Sequence, residues 1–211
     1  MLIQDGQTIL FIGDSITDCG RRDANAPYGN GYVDVFNDCI IARYPDRDIT
    51  VINKGIGGNR IVDLESRWND DVMRYKPDWL SIKIGINDLH SGFGEGPDAM
   101  TPDVFRKKYD GVLARTVATW KPEIVLISPY FISIDFDGDN QRSAVLARLP
   151  EYVGVVKDMS EKYGTRYIDT QALFQEQLKY RDADTFCAEP VHPNRRGHTV
   201  IAASVMDALS A

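Results

Sequence analysis

Apolar positions along the chain gather into five short runs, and stretches with a three-to-four-residue rhythm lie between them. Thr8-Ile9-Leu10-Phe11-Ile12 is a continuous run of strand length, and Ile49-Thr50-Val51-Ile52-Asn53 is β-branched. Trp79-Leu80-Ser81-Ile82-Lys83-Ile84, Ile124-Val125-Leu126-Ile127-Ser128 and Arg166-Tyr167-Ile168-Asp169 complete the set. Between the first two, Tyr32, Val35, Phe36, Cys39 and Ile40 recur at helical spacing, with Pro45 just past the end of a helix over 32–43. Ile61, Leu64, Trp68, Val72 and Tyr75 form the apolar face of the next helix. Thr101-Pro102 supplies a cap and first turn for a helix reaching Trp120. A further helix ends near Tyr163, with Pro150 either opening or kinking it. Thr170 starts a short helix to Arg181, and a last helix over 195–210 buries Ile201, Val205 and Leu209. Five alternations of strand and helix, without repeats or a linker, predict one α/β domain over 1–211. Its parallel sheet is covered by helices on both faces.

The polar residues that could carry chemistry sit where the strands stop. In open α/β folds, ligands bind at the carboxyl ends of the strands. The first strand runs into Gly13-Asp14-Ser15, which is equally readable as an ordinary turn followed by a helix cap. Three more clusters follow: Gly57-Gly58-Asn59, Gly85-Ile86-Asn87-Asp88 and Glu189-Pro190-Val191-His192-Pro193. The first of these lacks the spacing of a dinucleotide fingerprint and of a P-loop. Together the clusters hold the parts of an acyl-transfer site. Ser15 is the candidate nucleophile and His192 its general base. Glu189, three residues earlier, can hold the other imidazole nitrogen. The Ser15 and Gly58 N–H groups and the Asn87 amide are candidate oxyanion donors, with the missing Cβ of Gly58 opening the backbone to substrate. His90 and His198 compete for the base role; His90 has no carboxylate three residues upstream, and His198 falls in the first turns of the last helix, where packing or capping is the usual role. Asp184 competes with Glu189. Asp14, Tyr28, Tyr130 and Phe131, in strand-end loops, are candidate substrate contacts, whereas Trp68, Trp79 and Trp120 read as core.

Four blocks in this order resemble those of the SGNH hydrolases, also called the GDSL esterase/lipase family: Ser15, Gly58, Asn87 and His192. The resemblance covers nearly the whole chain and is greatest to bacterial acetylxylan esterases. It is carried by Phe11-Ile12-Gly13-Asp14-Ser15-Ile16-Thr17-Asp18-Cys19-Gly20-Arg21, Asn53-Lys54-Gly55-Ile56, Lys76-Pro77-Asp78-Trp79, Gly85-Ile86-Asn87-Asp88 and Asp169-Thr170-Gln171. It implies a flavodoxin-like three-layer sandwich with a five-stranded parallel sheet, no metal and no organic cofactor. It also implies a serine ester hydrolase that deacetylates xylo-oligosaccharides or related sugars. The chain departs from the family's usual orienting aspartate at Glu189, one methylene longer, and carries Ala188 before it, where the relatives are often bulky.

Composition narrows the field further. A net charge of −7 argues against nucleic-acid binding. Three cysteines, Cys19, Cys39 and Cys187, are odd in number and lack metal-type spacing, so free thiols and a cytoplasmic location are expected. The N-terminus does not read as a signal peptide, and no apolar run approaches the ~20 residues of a membrane span. The expected partner is a small-molecule or oligosaccharide ester, and a homo-oligomer is compatible with the sequence. Competing readings are a general short-chain carboxylesterase, thioesterase or phospholipid deacylase, a phospho-acceptor signalling domain, and a non-catalytic sugar-binding module. The signalling reading is weakened because Gly13-Asp14-Ser15 has no second adjacent acid.

Overall fold

The computed structural model describes residues 1–94, 96 and 99–210. Five parallel strands form one sheet in the order β2-β1-β3-β4-β5. They are β1 (Thr8–Gly13), β2 (Thr50–Asn53), β3 (Trp79–Lys83), β4 (Glu123–Ile127) and β5 (Arg166–Ile168). This is the expected flavodoxin-like α/β architecture. The register pairs Phe11 with Asn53 on one side of β1 and Gly13 with Lys83 on the other. The central strands are apolar throughout because both faces are covered: Ile9, Leu10, Phe11, Ile12, Leu80 and Ile82 are fully buried.

The helices are α1 (Ser15–Asp18), α2 (Tyr32–Arg43), α3 (Ile61–Trp68), α4 (Ile86–Ser91), α5 (Pro102–Thr119), α6 (Gln141–Tyr163), α7 (Thr170–Leu178) and α8 (Arg195–Ala208). α2 packs on α8, and α5 packs on α6 and α3, so the helical layers lie on opposite sides of the sheet. Ile201, Val205 and Leu209 are buried as expected. Pro150 lies inside α6 rather than opening it, and Asn140 caps that helix through Arg142 and Ser143 N–H.

One helix departs from its expected form. α3 ends at Trp68 and continues as a single π-turn, Asn69–Met73, closed by Arg74 N–H on Asn69 O at 2.9 Å. The wider turn changes the phase of the apolar stripe. Ile61, Leu64, Trp68 and Val72 stay fully buried, but Tyr75 turns outward to 38% exposure and takes the Lys54 ammonium over its ring. The Gly/Pro-rich loop expected over 91–97 includes Glu95 and Pro97, which lie outside the described residues.

Candidate active site

The strand order reverses between β1 and β3, and the crevice outside their carboxyl ends is where this fold class places ligands. β1 delivers Ser15 there and β3 delivers Asn87. The cap reading of Gly13-Asp14-Ser15 holds at Asp14. Asp14 is the N-cap of α1, its Oδ1 accepting from Ile16 N–H at 3.0 Å, and Ser15 is the first helical residue, half-buried at the mouth. As a first-turn residue, its N–H has no partner within its own helix. Gly13 allows β1 and β3 to leave the sheet in close contact, since a Cβ there would stand 2.2 Å from Lys83 O.

Ser15 Oγ lies 2.8 Å from His192 Nε2. His192 Nδ1 is hydrogen-bonded to Glu189 Oε1. The extra methylene of glutamate is absorbed by folding the side chain back over its own loop. Oε2 accepts from Val191 N–H at 3.0 Å and Oε1 from His192 N–H at 2.7 Å. Burial alone would raise the Glu189 pKa. The bonds from the Val191 and His192 N–H groups and the imidazole outweigh it and hold the carboxyl below its ordinary range. The loop itself is pinned by Ile132 N–H on Pro190 O at 2.9 Å and Asn194 N–H on Phe186 O at 2.8 Å. Asp184 is exposed on a separate short turn.

The other wall is the Gly57-Gly58-Asn59 turn. Gly58 is exposed with φ +79, a left-handed backbone that requires glycine. A Cβ there would meet no atom of the protein within 4 Å, so the backbone conformation and not the packing of the turn is what requires glycine. Asp18 Oδ2 accepts from Gly57 N–H at 3.0 Å and ties the turn to α1. Two bonds clip it to the β3 side: Asn87 Nδ2 donates to Asn59 O at 3.0 Å, and Ile61 N–H donates to Asp88 Oδ1 at 2.9 Å. Asp88 is fully buried, and burial pushes its carboxyl up to about 7.

The expected substrate contacts divide. Asp14 and Tyr130 are fully buried and offer a substrate no surface, which corrects both assignments. Asp14 spends its carboxylate on the α1 cap, and Tyr130 carries the Lys83 ammonium 4.6 Å over its ring. Tyr28 is half-buried against the core, and its carbonyl accepts from Asn53 Nδ2 at 2.7 Å. Phe131 is 5% exposed and lines a cavity of about 240 Å³ beside Glu189, with His90, Gln141 and Arg142. His198 is buried, bonded through Nε2 to Cys19 Sγ at 3.4 Å, and burial lowers its pKa to about 4. It packs under the site rather than serving it. Trp68 and Trp79 are core; Trp120 is partly buried and packed against it.

Lys83 is not among the candidate residues, although an ammonium inside a strand buried on both faces is a signal in itself. Its side chain is fully buried; burial lowers its pKa while the nearby Asp14 charge opposes the shift. Among the described residues no group of three or more His, Cys, Asp or Glu side chains is placed to hold a metal ion.

The GDSL-like lipase/acylhydrolase family model matches residues 11–200. The chain belongs to that family. It is 37% identical over 210 residues to an acetylxylan esterase of Geobacillus stearothermophilus, covering 96% of this chain and 93% of the relative. An acetylxylan esterase of Xylanibacter ruminicola is 27% identical over 92% of this chain and 41% of its own length. The crystal structure of Axe2, an acetylxylan esterase from G. stearothermophilus, superposes with a TM-score of 0.89 at 34% identity, over 100% of this chain and 97% of that one. Variants of Axe2 at a serine, an aspartate and a histidine are described as catalytic mutants. LAE5, an α/β hydrolase from the metagenome of Lake Arreo, superposes with a TM-score of 0.89 at 32% identity, over 99% of this chain and 97% of that one. The protein is therefore a carboxylic ester hydrolase, and its substrate is an ester.

Proposed function

We propose that this esterase removes acetyl groups from xylo-oligosaccharides or related acetylated sugars through a covalent acyl-enzyme on Ser15. The observation that carries the reading is the continuous line of hydrogen bonds from Ser15 Oγ to His192 and from His192 to Glu189. His192 Nε2 takes the proton of Ser15 Oγ as the oxygen attacks the ester carbonyl. Glu189 holds Nδ1–H, fixes the tautomer and stabilises the imidazolium without taking the proton. Charge developing on the carbonyl oxygen is met by the N–H groups of Ser15 and Gly58 and by the Asn87 amide. One Asn87 amide hydrogen is already given to Asn59 O, which fixes the plane of the amide and leaves the second for the oxyanion. The imidazolium then protonates the departing sugar oxygen, which leaves as a hydroxyl, and water, activated by the same imidazole, releases acetate.

The imidazole accepts a proton only when neutral, so kcat/KM falls on acidification. Glu189, with its lowered pKa, stays ionised well into the acid range. Purified protein assayed on acetylated xylosides, short p-nitrophenyl esters and acyl-thioesters tests the substrate class. Acetylated xylosides are expected to give the highest kcat/KM. Preference for thioesters or longer acyl chains would move the enzyme to the thioesterase or general carboxylesterase reading.

A further inference from the structure

We propose that Arg67 is a positioning residue for the oxyanion donors, acting through Asn59; this rests on the assignment of Gly58 and Asn87 as those donors. Arg67 stands on the last turn of α3 with its side chain only 14% exposed. Its guanidinium makes four hydrogen bonds to four different segments. Nε donates to Asn59 Oδ1 at 2.8 Å, and Nη2 donates to Gly13 O at 3.2 Å. Nη1 donates to Lys54 O at 2.8 Å and to Asp71 Oδ2 at 2.7 Å. One planar group thus fastens the end of β1, the segment following β2 and the glycine turn.

Asn59 passes this constraint on. Its side chain is held by Arg67, and its carbonyl accepts from the Asn87 amide. Gly58, the residue before it, has a left-handed backbone whose N–H direction follows from how the turn is held. Arg67 therefore reaches both a backbone donor and a side-chain donor without touching either. An oxyanion donor must meet the oxygen within a few tenths of an ångström, so the group that fixes its support affects rate rather than affinity.

The π-turn after α3 supplies the counter-charge. Asp71 lies within it, four residues beyond Arg67, and also pairs with Lys54 Nζ at 3.3 Å. Burial pushes the Asp71 carboxyl up, but bonding to Arg67 and Lys54 outweighs this and holds it below its ordinary range. The guanidinium fork is needed because a lysine ammonium has three donors and no plane to span the segments.

The test compares Asn59→Ala, Arg67→Met and Arg67→Lys with wild type on p-nitrophenyl acetate. Each preparation is titrated at Ser15 with a serine-directed phosphonate, so rates are counted per reactive site. Asn59→Ala is decisive because it leaves the Arg67 bonds to Asp71, Lys54 and Gly13 in place. It is expected to lower kcat and kcat/KM together by about 10–100-fold, with KM within about twofold. Arg67→Met should match or exceed that loss, and Arg67→Lys, which keeps the Asp71 charge pair, should not restore it. In an Asn87→Ala background, Asn59→Ala should cost several-fold less than in wild type, because the share of its effect that passes through the Asn87 amide is already gone. Wild-type kcat per labelled site in Asn59→Ala, a loss confined to KM, or an undiminished loss in the Asn87→Ala background would each overturn the proposal. Absence of phosphonate labelling at Ser15 in the wild type would instead remove the acyl-enzyme reading itself.

Discussion

The two walls of the site are built in opposite ways. The wall carrying Ser15, Gly58 and Asn87 is held from beneath by residues distant in sequence. Asp88 is fully buried and Asp18 nearly so, and they bond the backbone N–H groups of Ile61 and Gly57. The wall carrying His192 is local. Glu189 bonds Val191 and His192, two and three residues on, and the Glu189 and His192 side chains are 50% and 57% exposed. Oxyanion donors, the role proposed for Ser15, Gly58 and Asn87, need sub-ångström placement, which buried polar networks supply at the cost of desolvation. A general base, the role proposed for His192, needs only one rotamer and one tautomer, which a three-residue turn with a carboxylate can fix by itself. Substitutions on the first wall should therefore affect stability and rate together, and those on the second rate alone.

The largest expected effect lies where the walls meet. Ser15→Ala should fold normally and lose about 10⁴–10⁶ in kcat. Phosphonate labelling followed by mass spectrometry should mark Ser15 in wild type, and a label on another serine would refute the assignment of the nucleophile. On the local wall, Glu189→Gln should lower kcat by about 10²–10⁴. Its Tm should stay near wild type, because an exposed pair contributes little to stability. Retention of kcat in both Glu189→Gln and Glu189→Ala would reduce the site to a Ser15–His192 dyad. Asn87→Ala should cost about 10²–10³ in kcat with little change in KM. It should also lower Tm, since it unclips the glycine turn; an unchanged Tm would erase the contrast between the walls.

The smallest effect is one of pH. Asp88 binds its proton more tightly when folded, with a pKa of about 7 against about 4 in an unfolded chain. Between those values the folded state holds more protons, so stability falls as pH rises. His198 has the opposite sign. Its folded pKa of about 4 lies below the unfolded value of about 6.5, so its contribution is present above pH ~6.5 and lost as pH falls towards 4. The two slopes oppose each other over most of the same window. Asp88→Asn keeps an acceptor for Ile61 N–H and removes the titration. Urea unfolding of this variant across pH 4–7 should show stability rising more steeply with pH than in wild type. An unaltered profile would mean that Asp88 is not the buried titrating group.

The sequence by itself determined the sheet and the four blocks. Short continuous apolar runs rich in β-branched residues read as strands covered on both faces, and the polar residues where they stop lie at the carboxyl edge of a parallel sheet. The spacing of Glu189 and His192 was legible for the same reason that their wall is local: a contact three residues apart is written in one loop. Tertiary structure decided everything that depends on what lies opposite. Asp14 and Tyr130 stand in strand-end loops, yet packing buries both, so adjacency in sequence misassigned them as substrate contacts. The outward turn of Tyr75 follows from one π-turn, which periodicity in a short window does not register. Arg67 reads as an ordinary polar position of an amphipathic helix. Only the convergence of the ends of β1 and β2 with the glycine turn, set by the strand order β2-β1-β3, puts three carbonyl and carboxamide oxygens within reach of its guanidinium.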